Sequence, residues 1–267
     1  MSLFKREHAP ITDKAWKAID ETTAGVLSTS LKARRFVDVS EPKGWDYSAL
    51  GLGRLELAEG SPVEEVEYGL RSVQPLVEAR VRCELDIWEL DNLSRGAPHV
   101  ELTPLEEAAR RAARFEDQAL LLGLENAGIE GIAQKQAHHA QPFEHEPDRF
   151  LGAVSSAMLA LQRSSVGGPF ALVVGVETFL FLASEPTGYP LLKRVGALVE
   201  GPVLETDLIE GGLLVSLRGN DFQLTVGQDF SVGYETHDSQ RVRLFITESF
   251  TFRTMEPRAV IRLSRGS

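Results

Sequence analysis

The residue types in this chain best suited to metal or nucleophilic chemistry are its six histidines and one cysteine. Three histidines fall close together: His138, His139 and His145 lie in QKQAHHAQPFEHEP, residues 134–147. Imidazoles hold zinc or copper, but a structural site needs a closed set of converging ligands. Adjacent histidines in a strand or loop point apart, and none of these three has a partner four residues away on a helix. No metal site is expected. Cys83 sits in phase with apolar neighbours, which makes it an inert core thiol. A single cysteine excludes an intrachain disulfide framework and suits a reducing compartment. Carboxylates are many but scattered along what read as solvated faces. G-x-G-x-x-G, a Walker loop, G-x-S-x-G and H-E-x-x-H are all absent, and no nucleophile–base pair stands out. No catalytic residue is assigned.

Trp88 is a separate case. It falls in phase with the charged face of a strand, so its ring is expected at the surface. It either packs under a loop, meets another subunit, or offers a platform on which a planar ligand stacks.

Composition narrows the classes further. The net charge of −11 argues against a nucleic-acid-binding surface. No run of 18 apolar residues is present, so nothing is expected to span a membrane. MSLFKREHAP lacks the apolar stretch of a signal peptide. The 267 residues allow one large or two small domains, and a hydrophobic fraction of 43% is ample for a core.

The elements that would position these residues are organised around residues 99–128. Thr103 reads as an N-cap, Pro104 as the first helical position and Glu106 as the end of a Thr-x-x-Glu capping box. Leu105, Ala109, Ala112, Phe115, Ala119 and Leu122 recur at helical spacing. Glu106, Glu107, Arg110, Arg111, Arg114 and Asp117 make the opposite, charged face. The result is a spine helix of roughly 35 Å at ~1.5 Å per residue, with Gly123 and Gly128 as stops. It follows a strand in which Val77, Ala79, Val81, Cys83, Leu85 and Ile87 alternate with charged residues and Trp88. LDNLSRG reads as a turn between the two.

Ahead of these, Thr12 opens a first helix with a stripe of Trp16, Ile19, Val26, Leu27 and Leu31. Leu55 and Leu57, then Val66, Tyr68 and Leu70, alternate with charged residues on either side of Gly60-Ser61-Pro62. This is a two-stranded arm too poor in apolar residues to make a core, and an isolated hairpin is marginal in water. It is expected to lie on another molecule. After Gly131 comes a compact α/β insert: a helix over 148–164, a buried strand over 170–174, helices over 177–182 and from Pro190, and strands over 203–206 and 213–217. Alternation returns in the tail, where Glu248 falls in phase with the apolar face.

FKREHAPITDKAW, RRFVDVSEPKGWDYSALGLGRLEL, CELDIWELDNLSRG, FEDQALLLG, TGYPLLKRV, VGQDFSVGYE and VRLFITESFTF together resemble the encapsulin shell proteins, once described as linocin-type bacteriocins. The resemblance runs nearly end to end. It implies an α+β chain with the HK97-like fold of tailed-phage major capsid proteins. Residues 1–47 would hold a luminal helix and the start of a peripheral domain, and 48–75 the extended loop. Residues 76–130 would carry the spine helix, 131–221 the axial domain, and 222–267 the peripheral domain's C-terminal strands.

The implied function is that of a non-catalytic shell subunit. Sixty copies would close into an icosahedral (T=1) cytoplasmic cage around a cargo enzyme. The cargo would be a ferritin-like iron oxidase or a dye-decolourising peroxidase, held by a C-terminal targeting peptide and serving iron storage or oxidative-stress defence. A prophage major capsid protein, or a bacteriocin or protease, are the alternatives. The resemblance sets Leu27 and Leu31 of the first helix beside Phe230, Val232 and Tyr234, with Arg34 and Asp38 at the rim, as the groove for that peptide. It puts Ser184, Glu185, Pro186, Thr187, Gly188 and Tyr189 around a fivefold opening. Neither nucleic acid nor a membrane is implied as partner. No cofactor is required, although Trp88 could stack a flavin.

Overall fold

In the computed structural model, residues 3–184 and 190–266 are described. The first helix, α1 (Asp13–Ser30), begins where Thr12 accepts the Ala15 N–H at 3.3 Å, a side-chain N-cap. Trp16, Ile19, Thr23 and Leu27 are buried along one face. Then come β1 (Asp38–Val39), β2 (Ala49–Leu57), β3 (Gly69–Pro75) and β4 (Val77–Asp86).

At Asp86 the chain departs from the expected strand-then-turn. The Asp86 carboxylate accepts the Glu89 N–H at 3.0 Å and starts a helix, α2 (Ile87–Arg95). Gly96, at φ 99°, closes it. Trp88 is therefore helical, 65% exposed, with the Arg95 guanidinium 5.4 Å from its ring centre. The Asp-x-x-Glu signal of an N-cap was hidden inside an alternation that matched a strand up to Asp86.

The spine, α3 (Thr103–Leu122), is 20 residues long and stops at Gly123. Its start is not the expected capping box. Leu102 is the N-cap residue, Glu101 accepts the Thr103 N–H at 2.9 Å, and Glu106 instead pairs with Arg110 at 2.6 Å. Buried Leu102 draws the helix start one residue earlier. Along the buried face, Leu105, Ala108, Ala109, Ala112 and Ala113 let α1 and β4 approach closely.

The insert comprises β5 (Gln141–Phe143), α4 (Pro147–Arg163), β6 (Phe170–Gly175), α5 (Val176–Ala183), α6 (Leu191–Val199), β7 (Val203–Thr206) and β8 (Gly212–Ser216). The tail adds β9 (Phe222–Val226), β10 (Ser231–His237), β11 (Arg241–Thr254) and β12 (Val260–Arg265). Two five-stranded sheets result. In the first, β11 is antiparallel to β10, β4 and β9, and β1 adds in parallel to β9. In the second the order is β5-β12-β8-β6-β7.

The resemblance implies that the last strand belongs with the peripheral tail. It crosses instead to the insert's sheet, parallel to β5 and antiparallel to β8. Alternation identifies a strand but not its sheet, and QPF (residues 141–143), read as loop, supplies the edge. β2 and β3 pair with each other as a separate ribbon. Among the described residues, no helix is long and apolar enough to cross a membrane.

Candidate functional site

The chain's α1 and β10 do meet, and a groove of about 520 Å³ opens between them. Leu27, Phe230 and Val232 of the expected set line it, joined by Thr23, Ala24 and Ser231. Leu31 and Tyr234 do not reach it. Both are buried in the core shared with α3 and β11, and the Tyr234 hydroxyl lies 2.6 Å from His237 Nδ1. Asp38 is also elsewhere. Its carboxylate accepts the Asn220 N–H at 2.6 Å and borders a different cavity, with Arg35 and Phe36. Its place in β1, beside β9, carries it away from β10.

Arg34 stands behind the groove rather than at its rim. Its guanidinium lies 5.0 Å from the Phe230 ring centre, a cation–π contact that backs the groove wall. It donates to Glu116 at 2.6 and 3.0 Å and to Glu248 at 3.3 Å, and reaches Asp229 at 3.0 Å. Glu116 and Glu248 are fully buried. Burial opposes Arg34's charge, yet the bonds to Glu116 and Asp229 raise its pKa overall. Burial, with the neighbouring Glu116, pushes the Glu248 carboxyl well above the usual carboxylate range. Two buried carboxyls share one arginine, so a proton on Glu248 relieves their repulsion.

Next to it, Asp117 accepts the N–H groups of Lys32 and Ala33, each at 2.9 Å. Burial pushes its carboxyl up to about 6. Three carboxyl groups thus fasten the turn after α1. Sequence reasoning put Asp117 on the solvated face of the spine. Helical phase alone did not reveal that the turn at 31–36 crosses over that face.

Phe4, Arg6 and Asp20 complete the groove, and no sequence signal marked them. Arg6 and Asp20 are 14 residues apart and pair only through tertiary structure. Of the loop at 184–189, Ser184 is exposed after α5. Glu185, Pro186, Thr187, Gly188 and Tyr189 lie outside the described residues. His138 and His145 make separate contacts. The ring of His138 bonds the Arg258 carbonyl at 3.0 Å, and His145 stacks on Phe181 at 4.8 Å. Among the described residues, no group of three or more His, Cys, Asp or Glu could hold a metal ion. The Cys83 thiol is buried, and burial pushes it up to about 11, far from a reactive thiolate.

Two sheets, a spine helix and a separate two-stranded ribbon make up the fold. The chain is similar to a virus-like particle protein from Pyrococcus furiosus, with a TM-score of 0.66, 14% identity and coverage of 93% of this chain and 99% of that one. It is also similar to the capsid of the myovirus phage XM1, at TM-score 0.59 and 11% identity over 89% and 92% of the two chains. These likenesses concern the fold, which is HK97-like.

Sequence takes the matter further. The family model described as "encapsulating protein for peroxidase" matches residues 1–251. A type 1 encapsulin shell protein of Rhodospirillum rubrum is 40% identical over 98% of this chain and 96% of its own length. One from Mycobacterium tuberculosis is 32% identical over 99% and 100%. The chain belongs to the type 1 encapsulin shell proteins. It is a structural subunit of a capsid-like cage rather than an enzyme.

Proposed function

We propose that sixty copies of this chain close into a T=1 icosahedral shell in the cytoplasm. The shell encloses an enzyme that a short apolar C-terminal peptide anchors in the α1–β10 groove. One observation carries the assembly: the β2–β3 ribbon exposes Leu55, Leu57, Val66, Tyr68, Leu70 and Val73 together. Leu55 and Leu57 lie on one face of the ribbon and Leu70, opposite Glu56, on the other. Apolar side chains left uncovered on both faces mark a protein–protein surface, and a partner copy is the natural cover for a subunit that builds a cage. Repeated over a closed point group, such contacts bury several thousand Å² in order of magnitude.

The description of the family as encapsulating a peroxidase supports a dye-decolourising peroxidase as cargo, in oxidative-stress defence. A ferritin-like iron oxidase, for iron storage, is the second candidate. The loop at 184–189 would ring the fivefold opening, with Glu185 favouring cations there. The exposed Trp88 ring would accept a stacked flavin, but the shell needs no cofactor to close.

Native mass spectrometry of purified particles tests the assembly. The expected mass is sixty times the 29.4 kDa chain plus cargo, and a monomer or a larger shell would contradict it. Cargo is tested by sequencing what co-purifies from the native source. A peroxidase is expected, and it should be lost from intact Phe230→Ser shells.

A further inference from the structure

β10 bonds β11 along one side. On its other side, backbone groups are taken by the N-terminal segment, residues 3–9, rather than by a strand. The Tyr234 N–H donates to the Phe4 carbonyl at 2.8 Å, and the Val232 carbonyl accepts from Arg6 Nε at 2.8 Å. An open sheet edge of this kind is a template on which an added peptide can bond.

Arg6 is one point at which the segment is fastened. Besides Val232, its guanidinium donates to both oxygens of Asp20 on α1, at 2.8 and 2.6 Å. It also lies 4.4 Å from the Trp16 ring centre. One side chain therefore ties the segment to helix and sheet at once. Phe4 also meets the Trp45 ring edge to face at 5.7 Å, and Ala9 packs against the core beneath α1. The tight turn Arg6–His8 buries no residue, and Lys5 enters it at φ 49°, a left-handed conformation unfavourable for a residue with a Cβ. Phe4, Arg6 and Asp20 also line the groove, so this segment covers the β10 edge and narrows the cavity beside it.

We infer that residues 3–9 form a strap that the anchoring peptide displaces. The groove then selects a peptide with an apolar side chain followed two residues later by a basic one, copying Phe4-Lys5-Arg6. The inference rests on the reading of the groove as a peptide site. Such a peptide supplies each group the strap withdraws: a backbone carbonyl for Tyr234 N–H, an apolar side chain for the wall built by Leu27 and Phe230, and a cation for Asp20. A peptide lacking the cation leaves Asp20 facing an apolar ligand without its partner, and it competes poorly with a strap whose own arginine is in place.

Two measurements test this. In Arg6→Ala shells, hydrogen exchange in the segment containing Tyr234 is expected to accelerate at least tenfold, while β11 is unchanged. Asp20→Asn releases the same pair from the other side and should do likewise. Second, a fluorescent protein ending in LFKREHA is co-expressed with each shell. It should co-purify with Arg6→Ala shells at least fivefold more than with unmutated ones, and a tag reading LFKAEHA should not. Unchanged exchange in both variants overturns the strap. Equal capture of the two tags overturns selection for a basic residue. Neither result depends on the native cargo, whose loss in Phe230→Ser shells tests the groove itself.

Discussion

One residue separates the β2–β3 ribbon from β4, and Arg54 to Leu57 of β2 alternates apolar with charged side chains as β4 does, yet the two meet opposite fates. On β4, Cys83 and Leu85 are 6% and 2% exposed; on the β2–β3 ribbon, Leu57 and Leu70 are 71% and 68% exposed. The difference lies in what covers them. β4 is zipped to β11 over residues 77–86 and roofed by α3. Among the described residues, no apolar side chain of β2 or β3 joins either core cluster. The ribbon is anchored at its base, where the buried Gln74 amide donates to the carbonyls of Gly128 and Phe252 at 3.2 and 3.0 Å. Period-two alternation reports a half-buried strand. It does not report whether the cover comes from the same chain.

The comparison is broken most completely by replacing Val66, Tyr68 and Leu70 together with serine. Each loses about 1–3 kcal/mol of burial when covered by a partner, repeated at every contact in the shell, and less in the free subunit, where Val66 and Tyr68 are about half exposed. Folded, soluble subunits that fail to close are expected by electron microscopy and size-exclusion chromatography. Normal particles would show that these apolar side chains are dispensable. These unassembled subunits also give a background in which single-chain stability can be measured by urea unfolding.

In that background, Arg34→Met should be the most damaging single change. It leaves Glu116 and Glu248 buried without their cation, an effect of order 3–5 kcal/mol. Adding Glu116→Leu and Glu248→Leu should recover most of the loss, because it is the orphaned charge that costs. Failure of that rescue would assign Arg34 a packing role instead. Leu85→Ala comes next, at about 2–5 kcal/mol from lost transfer energy and the cavity left behind. The same truncation at Leu70 should cost the free subunit almost nothing, which puts a number on the contrast between the two strands.

Much of this molecule was legible before its structure. The alternation of β4, the small stripe on α3, the insert's order of elements and the exposed arm all follow from spacing and turn residues. The family resemblance set Leu27, Phe230 and Val232 side by side, and these three do line one cavity. What escaped were features fixed by tertiary contact. Nothing local to Arg6 names Asp20 as its partner, and nothing local to β12 says that it pairs with β5. Glu248 stood out as an acid on an apolar face, but its meaning needed Arg34, 214 residues away. Asp117 looked like one more charge on a solvated helix face until the turn at 31–36 was found lying across it.

Asp117 yields the smallest and most specific prediction. Its carboxyl, pushed up to about 6 from the ordinary 3.8 chiefly by burial, binds a proton in the folded chain before it would in the unfolded one. Stability from that proton is fully present below the unfolded value and is lost as pH rises through about 6. The unassembled subunit should therefore become more stable as pH falls from 7 toward 4, by up to roughly 3 kcal/mol from this group. Glu248 shifts in the same direction, so Asp117→Asn should remove only part of the slope. The difference between the two unfolding curves, taken every half pH unit, isolates Asp117. Parallel curves would mean that the carboxylate stays ionised at neutral pH at no cost. Its bonds from Lys32 and Ala33 would then outweigh its burial, and the turn after α1 would rest on a permanent charge rather than on a titrating one.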